Sequence, residues 1–149
     1  MCLAICMFTT IATAQKVTEQ DLQGTWKMTN FSAGGLMVDV PANKITLKPE
    51  LESQLTPEQK QQMEEQMDLA MEMFKESYAY IEGKNLRQTM GGQEQKGTFT
   101  LKDQDGKQYI VLTVAEGATE DMLVSIKDKK LMISQGEGAE AAEFVYIKQ

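Results

Sequence analysis

Apolar and polar residues alternate with a period of two along most of this chain, and in one stretch the period lengthens to that of a helix. In residues 24–31, Trp26, Met28 and Asn30 alternate with Thr25, Lys27 and Thr29, the pattern of a half-buried strand. Ser32-Ala33-Gly34-Gly35 breaks it, and short extended stretches over 36–40 and 43–48 follow, punctuated by Pro41 and Pro49. Thr56-Pro57-Glu58-Gln59 then supplies an N-cap hydroxyl, a proline at the first helical position and a glutamine at the third. Downstream, Met63, Met67, Ala70, Met71 and Phe74 recur at steps of three and four, within an arc of about 100°. Glu64, Glu65, Asp68, Glu72 and Lys75 take the other side. The spacing predicts an amphipathic helix over 57–75, about 28 Å long, whose methionine-rich stripe suits an uneven apolar surface.

After Glu76 the period returns to two. Tyr78 and Tyr80 flank Ala79, residues 82–85 (Glu-Gly-Lys-Asn) form a hairpin turn, and 86–90 is the return strand. The rival reading continues the helix to Ile81 with a cap at Gly83. Aromatic residues two apart fit a pleated surface better. Strands then follow over 96–102, 108–115, 122–126, 130–134 and 143–148, separated by Gly91-Gly92, Asp105-Gly106, Asp128-Lys129 and a Gly136–Gly138 loop. Eight or nine short strands joined as hairpins, without βαβ alternation, predict an antiparallel sheet closed as a barrel or folded as a sandwich.

A length of 149 residues suits one domain. With 22 acidic and 15 basic residues, net charge −7 and a single arginine, Arg87, the chain is a poor partner for nucleic acid or anionic membrane. There is no histidine, and the two cysteines are Cys2 and Cys6. That removes most nucleophilic and metal chemistry. Residues 3–12 are uncharged and apolar, and Ala12-Thr13-Ala14 is a small-x-small pattern that a signal peptidase accepts. Residues 1–14 therefore read as a secretory signal, too short to span a bilayer and atypical in having no basic residue before the apolar run. The alternative is a first strand of the domain. Leu3-Ala4-Ile5-Cys6 is a poor lipidation box, because Ile5 is bulky before the cysteine. The reading is a periplasmic or secreted domain over 15–149.

Leu22-Gln23-Gly24-Thr25-Trp26-Lys27 resembles the Gly-x-Trp opening strand of lipocalin-like proteins. An amphipathic helix in the first half, Phe74-Lys75 before a tyrosine hairpin, and Gly97-Thr98-Phe99-Thr100-Leu101 follow in order. Over residues 20–148 the chain is similar to small secreted lipocalin-like domains of the Bacteroidetes type. The resemblance implies an up-and-down β-barrel with one covered end, the binding of a small apolar ligand, and a late-strand cation over Trp26, a part left to Lys148 or Lys127.

On that barrel, alternation puts Met28, Tyr80, Phe99, Leu112, Val124, Ile133 and Tyr146 inward, as ligand contacts or as filling for a solid core. Trp26 is expected to plug the closed end, and Met67, Met71 and Phe74 to form a helical lid. Met63, Met67, Met71 and Met73 have a spacing that could suit Cu(I), but Ala70 and Phe74 share the stripe, and packing is the expected role. Asp103-Gln104-Asp105-Gly106 fails as a calcium loop, since Leu112 stands where a glutamate is needed. No nucleophile motif is present, and the serines have no histidine base. The expectation is a non-catalytic protein without cofactor or metal, binding a small, mostly apolar molecule inside the barrel. The alternative is an interaction module with a filled core.

Overall fold

The computed structural model describes residues 16–138 and 141–149. The expected signal segment and Cys6 lie outside the described residues. In chain order the elements are α1 (Glu19–Leu22), β1 (Gly24–Ala33), β2 (Leu36–Asp39), β3 (Lys44–Leu47), α2 (Pro49–Glu52), α3 (Pro57–Lys75), β4 (Tyr78–Glu82), β5 (Asn85–Met90), β6 (Gln93–Gln104), β7 (Lys107–Val114), β8 (Thr119–Lys127), β9 (Lys130–Gln135) and β10 (Ala142–Lys148). Strands β4 to β10 pair in sequence, each antiparallel to the next. β1 pairs with β4 on one side and β10 on the other, so eight strands close into an up-and-down barrel. This is the expected architecture, with the helix inserted in the first half. The short helices α1 and α2 were not foreseen; four residues are too few to show a period.

β1 changes partner along its length. Residues 24–27 pair with β4, and residues 30–33 pair with β2, which pairs in turn with β3. The switch falls at a bulge: Met28 faces Tyr146, but Asn30, two residues on, faces Val145. The extra residue, Thr29, is buried, and its hydroxyl donates to the Val145 carbonyl at 3.2 Å. Its own carbonyl accepts from Val40 at 2.8 Å, while Met28 N–H goes to the Ser77 carbonyl at 3.0 Å. A bulge reverses which face later residues occupy. Trp26 and Met28 are buried at even positions, and beyond the bulge Phe31 takes the inner side, 5.3 Å from the ring of Phe74 and 5.1 Å from that of Phe144. Asn30 therefore does not share the face of Trp26 and Met28, contrary to the simple alternation.

α3 keeps the bounds its spacing predicts. Thr56 accepts from Gln59 N–H, Gln59 Oε1 accepts from Thr56 N–H at 2.9 Å, and Pro57 occupies the first turn. Of its stripe, Met71 and Phe74 are buried, and Met63, Met67 and Ala70 are half-buried. Met73 is exposed on a different side. The C-terminal half thus packs into the same core as Phe31 and Val38, and the N-terminal half lies beside β3.

β6 is shared in an analogous way. Its first half pairs with β5 and its second with β7, overlapping at Gly97 and Thr98. At Gly97 a Cβ would stand 2.2 Å from the Thr113 carbonyl oxygen, which is backbone and cannot swing aside. Gly97→Ala is expected to lower stability by about 2–3 kcal/mol through forced backbone displacement. Phe74→Ala, which empties the aromatic contact under α3, is expected to cost about 3 kcal/mol. Urea unfolding measures both, and an unchanged midpoint in either would contradict the packing described.

Candidate functional site: the barrel lumen and its open end

The barrel has one covered end. Thr18 caps α1: its hydroxyl accepts from Asp21 N–H, and the Asp21 carboxylate accepts from Thr18. Those bonds, the side-chain one first, hold the Asp21 carboxyl below its ordinary range. The preceding segment is tied down by Gln108, whose side chain accepts from Val17 N–H at 2.8 Å and donates to its carbonyl at 2.7 Å. Leu22 is thereby fully buried, and its carbonyl accepts from the Trp26 indole N–H at 2.7 Å. Lys148, not Lys127, lies over the Trp26 ring, with Nζ 5.3 Å from its centre. Trp26 takes the place expected of an end plug.

Above Trp26, Met28, Phe99, Leu112, Val124, Ile133 and Tyr146 all point inward and are buried, together with Ile110, Met122 and Leu131. Tyr80 does not join them. On β4 it is Ala79 and Ile81 that are buried, so Tyr80 stands on the outer wall. There it stacks on Tyr78 at 5.8 Å between centres and carries the Arg87 guanidinium 4.3 Å above its ring. Small Ala79 inside and aromatic residues outside reverse the usual expectation. The outer rings are shielded by cations: Lys27 lies 5.6 Å from the Tyr78 centre.

The lumen is not apolar throughout. Toward the open end the inward positions of β5, β6 and β8 carry Gln88, Gln95 and Glu120, all half-buried. Gln88 Nε2 donates across the lumen to the Tyr146 hydroxyl at 2.6 Å. Gln95 Nε2 donates to Glu120 Oε2 at 2.8 Å. Leu112, the pairing partner of Glu120, and Met122, next inward along β8, are buried directly below. These polar residues were not among the sequence candidates. Gln95 and Glu120 lie just outside the strands that apolar runs delimit, although the period of two, extended by one step, reaches both. The aromatic group of Phe31, Phe74 and Phe144 closes the same end beside α3. Of the expected lid residues, Phe74 and Met71 are buried there, and Met67 borders hollows of about 620 and 240 Å³ between α3 and β3.

A larger open hollow, about 980 Å³, lies elsewhere, along Gly24, Thr25, Tyr80, Arg87, Gly97 and Thr113. It is a broad concavity where β5 and β7 diverge from β6. Its principal polar groups already have partners: Arg87 sits over Tyr80 and 3.4 Å from Glu94, and Gln23 exchanges hydrogen bonds with Gly83. Size alone does not make it the better site. The lumen differs in being enclosed by apolar side chains, which pack against one another in this conformation, with its polar groups gathered at one level.

No family model and no curated protein matches this chain. Among solved structures, a mutant of the fluorescent protein UnaG is similar over 89% of this chain and 99% of its own, at 16% identity and a TM-score of 0.41. The barrel assignment stands on the strand pairings themselves.

Burial is the chief reason that the Tyr146 phenol is pushed up, beyond the usual tyrosine range; the Gln88 bond opposes it only in part. The unfolded phenol ionises near 10. The folded state holds this proton more tightly, so the stability it contributes is whole below about pH 10. That contribution is lost as pH rises further, by up to about 1.4 kcal/mol per pH unit. Tyr146→Phe is expected to make the alkaline fall in stability shallower, while costing about 1–2 kcal/mol at neutral pH by orphaning Gln88. Equal alkaline slopes for the two proteins, measured by urea unfolding at pH 9 to 11, would refute this.

Proposed function

We propose that this protein is a non-catalytic carrier or receptor for a small, mostly apolar molecule held inside the barrel, acting in the periplasm or outside the cell. The observation that carries this reading is the division of the lumen: apolar from Trp26 to Met122, then polar at Gln88, Gln95 and Glu120 under an aromatic closure. These half-buried amides and the carboxylate bond one another, yet each keeps donor or acceptor capacity that a bound molecule could use. Affinity would come from apolar burial at about 25 cal/mol per Å² removed from water. The luminal side chains pack against one another in this conformation. Uptake therefore requires Phe74 and Met71 to withdraw with α3, while the flexible thioethers of Met28 and Met122 yield space. The apolar run over residues 3–12 and Ala12-Thr13-Ala14 support export across a membrane.

One observation favours a second reading, an interaction module with a filled core. The lower lumen is packed to near-zero exposure, while Leu69, Met73 and Met90 are exposed, Leu69 to 74%.

Native mass spectrometry of protein purified from its own host separates the two. A co-purified small molecule, released when Phe74→Asp opens the aromatic closure, is the expected result. Mass-pure protein that also fails to take up an uncharged apolar fluorescent dye such as Nile red in its lumen, judged by unchanged Trp26 emission, would favour the interaction module.

A further inference from the structure

Two acids near the start of β8, Glu120 and Asp121, are adjacent in sequence and opposite in surroundings. Asp121 faces solvent and pairs with the Lys102 ammonium at 3.0 Å on the outer wall. Glu120 faces the lumen, and among the described residues the side chain that bonds it is the neutral amide of Gln95, at 2.8 Å. One amide leaves most of a carboxylate's acceptor capacity open. The inward positions on the barrel strands at this level add Gln88 and the Tyr146 hydroxyl, together with Gln135, the pairing partner of Met122. Among the described residues, the cation at an inward barrel position is Lys148, at the opposite end, occupied over Trp26. The apolar lumen therefore ends, among the described residues, in amides and one acid with no inward cation at that level.

From this placement we infer that Glu120 and Gln95 form the polar anchor of the luminal site, and that the ligand is an apolar molecule ending in a hydrogen-bond donor, best a protonated amine, with carboxylate-ended lipids rejected. This rests on the luminal binding reading above and adds the chemical class to it. A carboxylate brought to the same level would meet Glu120 across a medium that screens charge less well than water. An ammonium or an N–H would complete the lone pairs that Gln95 leaves free, and charge-assisted hydrogen bonds are the strong ones. The chain's net charge of −7 acts in the same direction at long range, but it does not distinguish one site from another. Removing Glu120 separates the local effect from the global one.

The test uses three ten-carbon probes of matched chain: decylamine, 1-decanol and decanoate, titrated calorimetrically into the intact protein at pH 7. Decylamine is expected to bind at least tenfold tighter than decanoate, with decanol between them. Glu120→Gln keeps the shape and the Gln95 contact, and is expected to bring decylamine level with decanol. Circular dichroism confirms that the variant is folded. If it is not, the wild-type ranking is repeated at about 0.5 M sodium chloride, which screens the long-range effect of net charge, and loss of the amine preference there would overturn the inference. Equal affinities for the three probes, tighter decanoate, or an amine preference intact in Glu120→Gln would overturn the inference while leaving luminal binding in place. Binding of none of the three would overturn the luminal reading itself, and this inference with it.

Discussion

Everything in this molecule depends on β1 having hydrogen-bond partners along both edges. A sheet of this many strands that stopped at β1 or β10 would present a row of open N–H and C=O groups, a template for another chain. Pairing of β1 with β10 removes that edge and turns a meander into a cylinder. On its other side β1 serves two partners in turn, β4 and then β2, and the bulge at Thr29 is what lets it do so. A continuous strand would keep even positions inward and aim Asn30 at the mouth. The inserted residue aims Phe31 there instead, where it meets Phe74 from the helix and Phe144 from the last strand. The aromatic closure of the open end is thus a consequence of backbone pairing several residues away.

The same closure fixes what the lumen can contain. Eight strands enclose little more than their own side chains, and Trp26, Met28, Phe99, Leu112, Ile133 and Tyr146 occupy the lower part nearly completely. Toward the mouth β1 exchanges β4 for β2, and β6 is paired with β5 rather than β7. Polar side chains are tolerated there because each finds a partner: Gln88 with Tyr146, Gln95 with Glu120. No buried side-chain nitrogen or oxygen among the described residues lacks a hydrogen bond.

Period and capping residues were enough to read most of the elements. The helix bounds follow from Thr56, Pro57, Gln59 and the stripe ending at Phe74. The strand at Tyr78 follows from aromatic spacing, and the hairpins from Asp-Gly and Asp-Lys turns. What escaped is of two kinds. Bulges and partner switches, as at Thr29, are set by the neighbouring strand and leave no periodic trace in the strand that carries them. Facing is the other: Tyr80 looks inward by hydrophobicity, yet Ala79 is the inner residue, because Gln88 crosses the lumen at that level and a large ring would block it. Polar residues that continue the alternation beyond an apolar run, Gln95 and Glu120, were legible only to parity. Composition pointed away from them.

The insertion between Ala33 and Ser77 has a mechanical independence that the barrel wall lacks. Removing β2, β3, α2 and α3 from their places would break the pairing of β1 residues 30–33 on one edge, but it would leave the eight-strand circuit and the closed end under α1 intact. Within the insertion, stability is uneven. The N-terminal half of α3 has exposed or half-buried side chains and lies beside β3, with Lys60 3.6 Å from Glu52 of α2, whereas its C-terminal turn is held by Met71, Phe74 and the Ser77 hydroxyl, which donates to the Met73 carbonyl at 3.0 Å. Segments with few buried contacts open at lower free energy than the sheet they rest on. Opening should therefore begin at residue 57 and end at Phe74, uncovering the polar level of the lumen last and leaving the cylinder closed throughout.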